Sequence, residues 1–256
     1  MKRLAEDLRY GFRVLLKSPG FTLVAVLTLA LAMGATTTIF SAVNAVLLRK
    51  LPYADPGRLV LLWGEERQRG IERAQVCFPD VEEWLHENQV FEDVAAYTGS
   101  WMPVLSSASG VEQLGGARVS DRFFRVMKTQ ALLGRTFLPG EQLEHGGDVA
   151  VLSYALWERS FGKDPAIVGG KITLDGKPYT VIGVLPPGFR SLPVRLVHRT
   201  SDIYRPLSRD FADEMRSGRH LRAIARLKSE ASLAQAQQEM NTIARRLELA
   251  YPEDNQ

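Results

Sequence analysis

The residues with the chemistry for a catalytic site are gathered in one stretch, Cys77 to His86, where a thiol, an imidazole and the carboxylates of Asp80, Glu82 and Glu83 lie close together. A cysteine activated by a histidine and oriented by an acid is a nucleophile. The same stretch has a simpler reading as the opening of a helix. Pro79 suits a first helical turn, PDVEEWLHEN then puts Val81 and Leu85 on the inward side, and Glu82 and Glu83 diverge into a solvated turn that the helix dipole favours. Cys77 becomes a half-buried residue beside the helix start, and as the sole cysteine it has no intrachain disulfide partner. No catalytic residue is assigned on these grounds.

Metal and nucleotide chemistry fare no better. His86, His145, His198 and His220 are too widely separated to form the paired helical spacing of a zinc site, so no metal ligand is assigned. Gly170-Lys171 and Gly176-Lys177 have Pro165 and Lys171 where a P-loop requires its first glycine. The chain is therefore expected neither to hydrolyse ATP nor to carry a cofactor. Gly115-Gly116, Gly146-Gly147 and Gly169-Gly170 read as turns, and Trp63, Trp84, Trp101 and Trp157 as core. Nothing in this inventory requires an enzyme.

The distribution of charge is more informative. The 256 residues carry a net +3, and Lys2, Arg3, Arg9, Arg13 and Lys17 against Glu6 and Asp7 account for all of it. A short basic cluster of this kind is a membrane flank and not a nucleic-acid-binding face, so no nucleic acid partner is expected. Directly after it, Phe21 to Leu48 contains no charged residue, more than the roughly 20 residues that cross a bilayer. A transmembrane helix is expected over 18–50. Ala30-Leu31-Ala32 resembles a leader cleavage site, but the apolar run continues well past it and the basic region holds two acids. The net positive N-terminal side favours an N-in orientation, with the larger C-terminal part outside the cytoplasm. Residues 1–17, with Leu4, Leu8, Phe12, Leu15 and Leu16 along one side, suit an amphipathic helix in the cytoplasmic interface of the bilayer. Within the span Ala30, Gly34, Thr37, Ser41 and Asn44 share one face. Such a face admits a neighbouring helix, although small residues are common in any membrane helix.

Beyond Leu51 the pattern is that of a mixed α and β domain. Strands are expected over Arg58–Gly64 (buried), Val94–Thr98, Val111–Val119 and Val149–Leu152, and short helices near Asp121–Met127 and Tyr154–Phe161. Asp175-Gly176 between alternating segments predicts a two-residue type I′ hairpin with Ile172 opposite Tyr179. Leu221, Ala223, Ala225 and Leu227 alternate with Arg222, Ile224, Arg226 and Lys228, a half-buried strand. A helix then starts at the capping box Ser232/Gln235 and carries Leu233, Ala236, Met240, Ile243 and Leu247 as its apolar stripe up to Pro252. This strand and helix form half of a βαβ or split-βαβ unit, whose returning strand would lie beyond Gln256 or come from the early segment. Glu65–Arg73, Gly140–Gly147 and Ser208–Gly218 are the expected flexible stretches.

Four separated stretches carry a family resemblance: DLRYGFRVLLKSPGFTLVAVLTLALAMGATTTIFSAVNAVLLRKLPY, VSDRFFRVMKTQALLGRTF, VAVLSYALWERSFGKDPAIVGGKITLDGKPYTVIGVLPPGF and RHLRAIARLKSEASLAQAQQEMNTIARRLELAYPE. In order and over nearly the whole chain they resemble MacB/FtsX-type ABC-transporter permeases, the first stretch being most similar to the duplicated orphan permeases of that group. The resemblance implies an α+β exported domain, 51–256, with two lobes: a porter-like lobe from about 51–105 and 218–256, and an inserted β-rich lobe from about 106–217. It implies a bacterial inner membrane location. The implied partners are other permease helices or a second permease copy, a cytoplasmic ABC ATPase, and a periplasmic partner. Such permeases continue into further membrane helices, so the resemblance implies C-terminal truncation at Gln256. It transfers no ligand-contact residue. Two other readings compete with a permease component for efflux or mechanotransmission. One is a membrane-anchored binding or sensing module without transport; the other is a secreted hydrolase released after Ala32, which would need Cys77 as nucleophile.

Overall fold

Alternating apolar residues and tight turns draw eleven of the thirteen described strands after residue 53 into a single mixed sheet. The computed structural model describes residues 17–43, 53–66, 70–107, 110–141, 148–189, 201–208, 216 and 218–252. The amphipathic helix expected over 1–17 therefore lies outside the described residues but for its last position, as do Asn44, His145, His198 and Gly146-Gly147. The chain divides into two units, 1–51 and 52–256.

In the first unit Pro19–Val43 forms one unbroken helix, α1. Its 25 residues give a length of about 37 Å, enough to span the hydrocarbon layer. With no water in a bilayer to satisfy a hydroxyl, Thr28, Thr36 and Thr38 donate to the carbonyls of Val24, Ala32 and Gly34, each at 2.8 Å. Phe21, Leu23, Leu27 and Leu31 are all exposed, as a lipid-facing helix requires.

The second unit contains β1 (Leu59–Leu62), β2 (Gly64–Glu66), β3 (Ile71–Ala74), α2 (Phe78–Glu87), β4 (Phe91–Trp101), β5 (Val104–Ser107), β6 (Gly110–Gln113), β7 (Gly116–Val119), α3 (Phe123–Val126), β8 (Leu133–Gly134), β9 (Val149–Leu152), α4 (Tyr154–Phe161), β10 (Lys171–Leu174), β11 (Lys177–Val184), β12 (Ile203–Pro206), β13 (Arg222–Leu227) and α5 (Leu233–Ala250). The main sheet runs β1-β13-β4-β7-β12-β9-β11-β10-β5-β6, with β8 on β11. β2 and β3 form a small hairpin. Of the 65–73 stretch expected to be flexible, residues 65–66 and 71–73 lie in these two paired strands, and 67–69 are outside the described residues.

Because successive strand residues point to opposite faces, the sheet sorts its apolar side chains into separate cores. Ala95, Tyr97, Val119, Val151, Tyr204 and Ile224 face α3, Phe137 and Phe189 on one side. On the other side, Val94, Ala96, Ala223 and Ala225 pack under α2 and α5, while Ala150, Leu152, Val181 and Ile203 pack around α4.

Several sequence expectations are met. The hairpin pairs Ile172 with Tyr179, and Asp175 and Gly176 have φ of 50° and 78°, the left-handed pair that a type I′ turn requires. α4 spans Tyr154–Phe161, with Ser153 accepting from the Leu156 amide as its cap. The α5 capping box has both of its bonds. Others are corrected. The strand expected over Val111–Val119 is two strands, because Leu114 bonds Pro103 and turns the chain between β6, which pairs with β5, and β7, which joins β4 and β12. Arg58–Gly64 is not a buried strand: β1 lies at the end of the sheet, and Leu61 is 44% exposed. β13 is buried on both faces, since its second face meets α3 as well. The helix expected near Asp121–Met127 is the single turn Phe123–Val126.

Candidate functional site

Cys77 sits at the N-cap of α2 and is fully buried; burial, with Asp80 next, pushes its thiol up to about 12 from an ordinary value of 9.0. His86 stands at the far end of the same helix, largely exposed, 3.9 Å from Glu82. The structure thus separates the thiol and the imidazole by the length of α2, and the thiol is held in its unreactive form. The sign of the shift sets a stability profile. A thiol with a raised folded-state pKa contributes stability that is fully present below about pH 9 and is lost as pH rises toward 12. Between those limits the wild-type chain is expected to lose thermal stability that Cys77→Ala retains, measured by melting temperature at stepped pH.

The carboxylates nearby are corrected in role. Asp80 is buried and salt-bridged to Arg216 at 2.6 Å, and Glu83 also binds Arg216. Arg246 on α5 reaches Glu83 at 3.3 Å and Glu87. Arg216 further stacks 3.6 Å from the ring centroid of Tyr251, which follows α5, so this one side chain contacts both helices' ends. Only Glu82 turns away toward His86, and burial raises its pKa. This network carries packing between α2 and α5. The sequence offered no signal for it, since its two arginines lie far along the chain. Trp84, Trp101 and Trp157 are buried as expected, whereas Trp63 is 37% exposed. Gly116 is more than a turn residue, because an added Cβ would run into the Trp101 ring and lie 2.9 Å from Pro103. Among the described residues no group of three His, Cys, Asp or Glu side chains is placed to hold a metal.

Of the small-residue face, Ala30, Gly34, Thr37 and Ser41 all lie on α1 at three- and four-residue spacing, and Asn44 is outside the described residues. Open space surrounds Gly34, where a second backbone could approach.

An open groove of about 580 Å³ lies between β1 and α5. Val60, Leu62, Trp63, Leu233, Met240 and Ala244 line it, and Glu65, Glu72, Arg73 and Glu248 contribute charge. Val60, Leu62 and Met240 continue the core beneath α2 and α5 into the groove.

Where the chain enters this unit it is firmly held. Tyr53 is buried and meets the Phe189 ring edge-on at 6.4 Å. Arg58 donates to the Leu227 carbonyl at 2.9 Å and pairs with Glu92. Arg226, 1% exposed, donates from Nε to the Val126 carbonyl at 2.7 Å and from Nη1 to the Asp55 carbonyl at 3.4 Å. Burial lowers its pKa, yet a guanidinium keeps its charge, so these carbonyls are what stabilise a cation inside the domain. One buried arginine thereby joins α3, β13 and the entry segment.

Comparison with known proteins accords with this architecture. The model of the MacB-like periplasmic core domain family matches residues 22–243. Three solved structures are similar. The periplasmic region of MacB from Actinobacillus actinomycetemcomitans is 14% identical, with a TM-score of 0.56 over 77% of this chain and 85% of that one. A domain of a putative permease protein from Porphyromonas gingivalis is 13% identical, with a TM-score of 0.58 over 76% and 86%. The extracellular domain of the noncanonic ABC-type transporter YknZ from Gram-positive bacteria is 18% identical, with a TM-score of 0.55 over 77% and 97%. No curated protein matches the sequence significantly.

Proposed function

The chain belongs to the MacB-like periplasmic core domain family, and from that membership we propose that it is the anchored, extracytoplasmic part of an ABC-transporter permease whose ATPase is a separate cytoplasmic protein. The observation that supports this most is that the family match begins at residue 22, inside the apolar helix, and runs through the exported unit to residue 243. The helix and the domain are thus matched together. The proposed location is a bacterial inner membrane, with the N-terminus in the cytoplasm. The exported unit has two proposed lobes, a porter-like one from about 51–105 and 218–256 and an inserted one from about 106–217. In this reading the span packs against other permease helices through Ala30, Gly34, Thr37, Ser41 and Asn44. The clamp at Tyr53, Arg58 and Arg226 passes displacement of the span into the domain, where it acts on a substrate or periplasmic partner for efflux or mechanotransmission.

Crosslinking in native membranes tests this in a Cys77→Ala background. Gly34→Cys is expected to crosslink to a second membrane helix, and the complex recovered through the chain to hydrolyse ATP. A Gly34→Cys chain that stays uncrosslinked and recovers no ATP hydrolysis would leave an anchored binding module in place of a permease component.

A further inference from the structure

Between the core under α2 and α5 and the core around α4, the sheet changes character. β7 gives neither of them an apolar side chain: Ala117 and Val119 turn to the α3 side, which leaves Gly116 and Arg118 on the face that carries the other two cores. Arg118 is in register with Thr98 of β4 and with Arg205 of β12, so two half-buried arginines stand side by side on that face. Like charges on paired strands repel, and an anion beside them turns the repulsion into attraction.

Arg205 is held in place for such a role. Its guanidinium lies 4.8 Å from the Trp101 ring centroid, and its Nη1 donates to the Tyr179 hydroxyl at 2.8 Å. Trp101 in turn lies against Gly116, where a Cβ would run into its ring. The guanidinium is thus fixed through its plane and through one nitrogen. Its other edge, Nε with Nη2, is the fork that grips a carboxylate or a phosphate side-on. Nε is buried and has no hydrogen-bond partner among the described residues. Buried donors ordinarily have an acceptor, and an oxyanion on this edge supplies one. Asp202, just before β12, does not serve, since Arg159 takes it at 2.9 Å. We propose that the Nε–Nη2 edge of Arg205, beside Arg118, binds one oxyanion group, a carboxylate or a phosphate, of a soluble ligand. The transport reading can fail without affecting this proposal, which rests on the strand register and on the contacts of Arg205.

Titration calorimetry on the full chain in detergent tests it, with inorganic phosphate and acetate as probes, each exchanged for chloride at constant ionic strength. The wild type is expected to bind at least one of them saturably, one per chain, and the tighter probe identifies the group. Arg205→Lys keeps the charge and loses the fork, so binding is expected to weaken about tenfold or more. Arg159→Lys, at an arginine engaged by Glu112 and Asp202, is expected to leave binding unchanged. Tyr179→Phe removes only the hydroxyl that orients Nη1; it is expected to weaken binding severalfold, and it decides the question if Arg205→Lys does not fold. Absence of saturable binding of either probe by the wild type would overturn the proposal. So would wild-type affinity in Arg205→Lys, or in Tyr179→Phe where the lysine variant does not fold, and so would an equal loss in Arg159→Lys.

Discussion

Gly183→Val is expected to destabilise the exported unit severely. Gly183 lies opposite Gly134 where β8 meets β11, and the chains approach so closely that each glycine faces backbone atoms of the opposite segment. A Cβ at Gly183 would run into the Arg135 carbonyl oxygen and lie 3.0 Å from that of Leu133. Backbone oxygens on two sides cannot rotate away as a side chain could, so the added atoms must part the strands. That places the substitution among the rare single changes costing more than about 4 kcal/mol. For a unit of this size the melting temperature then falls by more than about 10 °C, or the cooperative transition disappears. Gly57→Ala is the control, since nothing lies within 4 Å of its Cβ position and its backbone is ordinary. It is expected to stay within about 0.5 kcal/mol of the wild type. Thermal melts followed by circular dichroism compare the two directly.

The second large effect is expected at Phe124. Its ring lies between those of Phe123, Phe137, Phe189 and Tyr204, with centroid distances of 5.4, 5.6, 5.9 and 5.5 Å, and its exposure is 1%. Tyr53, at the entry to the domain, meets Phe189 in the same group. Phe124→Ala removes the ring that joins α3 to the central strands and leaves a cavity walled by four other rings, which have little means of closing it. The expected cost is about 3–5 kcal/mol. Loss of protection is expected to extend to Tyr53 and the turn after it, because both rest on the same cluster. Hydrogen exchange over residues 53–58, beside the global melt, separates this local loosening from general destabilisation.

Much of this fold was legible because its signals are local. A two-residue Asp-Gly turn sets its own register, so Ile172 and Tyr179 could be paired from sequence. The Ser232 and Gln235 side chains announce a helix start within four residues, and an uncharged run announces a span. What was missed depends on partners far along the chain. Alternation in Leu221–Lys228 suggested one wet face. Arg226 is instead buried, because α3, a hundred residues earlier, supplies the Val126 carbonyl that holds it. Arg58–Gly64 looked like an interior strand because apolar runs report hydrophobicity and not sheet order. Glu83 read as solvated for a similar reason: its counter-ions, Arg216 and Arg246, come from a distant loop and helix. The small-residue face of α1 was visible as spacing, while the helix that would meet it lies outside what one chain can display.

Topology mapping in intact cells tests the central claim, an N-terminal membrane span carrying an extracytoplasmic domain. In a Cys77→Ala background, Val111→Cys places a thiol at a site that is 75% exposed in the exported unit, and Lys17→Cys places one at the basic end of the span. A membrane-impermeant maleimide is expected to label Val111→Cys in intact spheroplasts and Lys17→Cys only after lysis, with both chains in the membrane fraction. Labelling of Lys17→Cys but not Val111→Cys before lysis, or recovery of a labelled Val111→Cys fragment in soluble form lacking its first 32 residues, would contradict it.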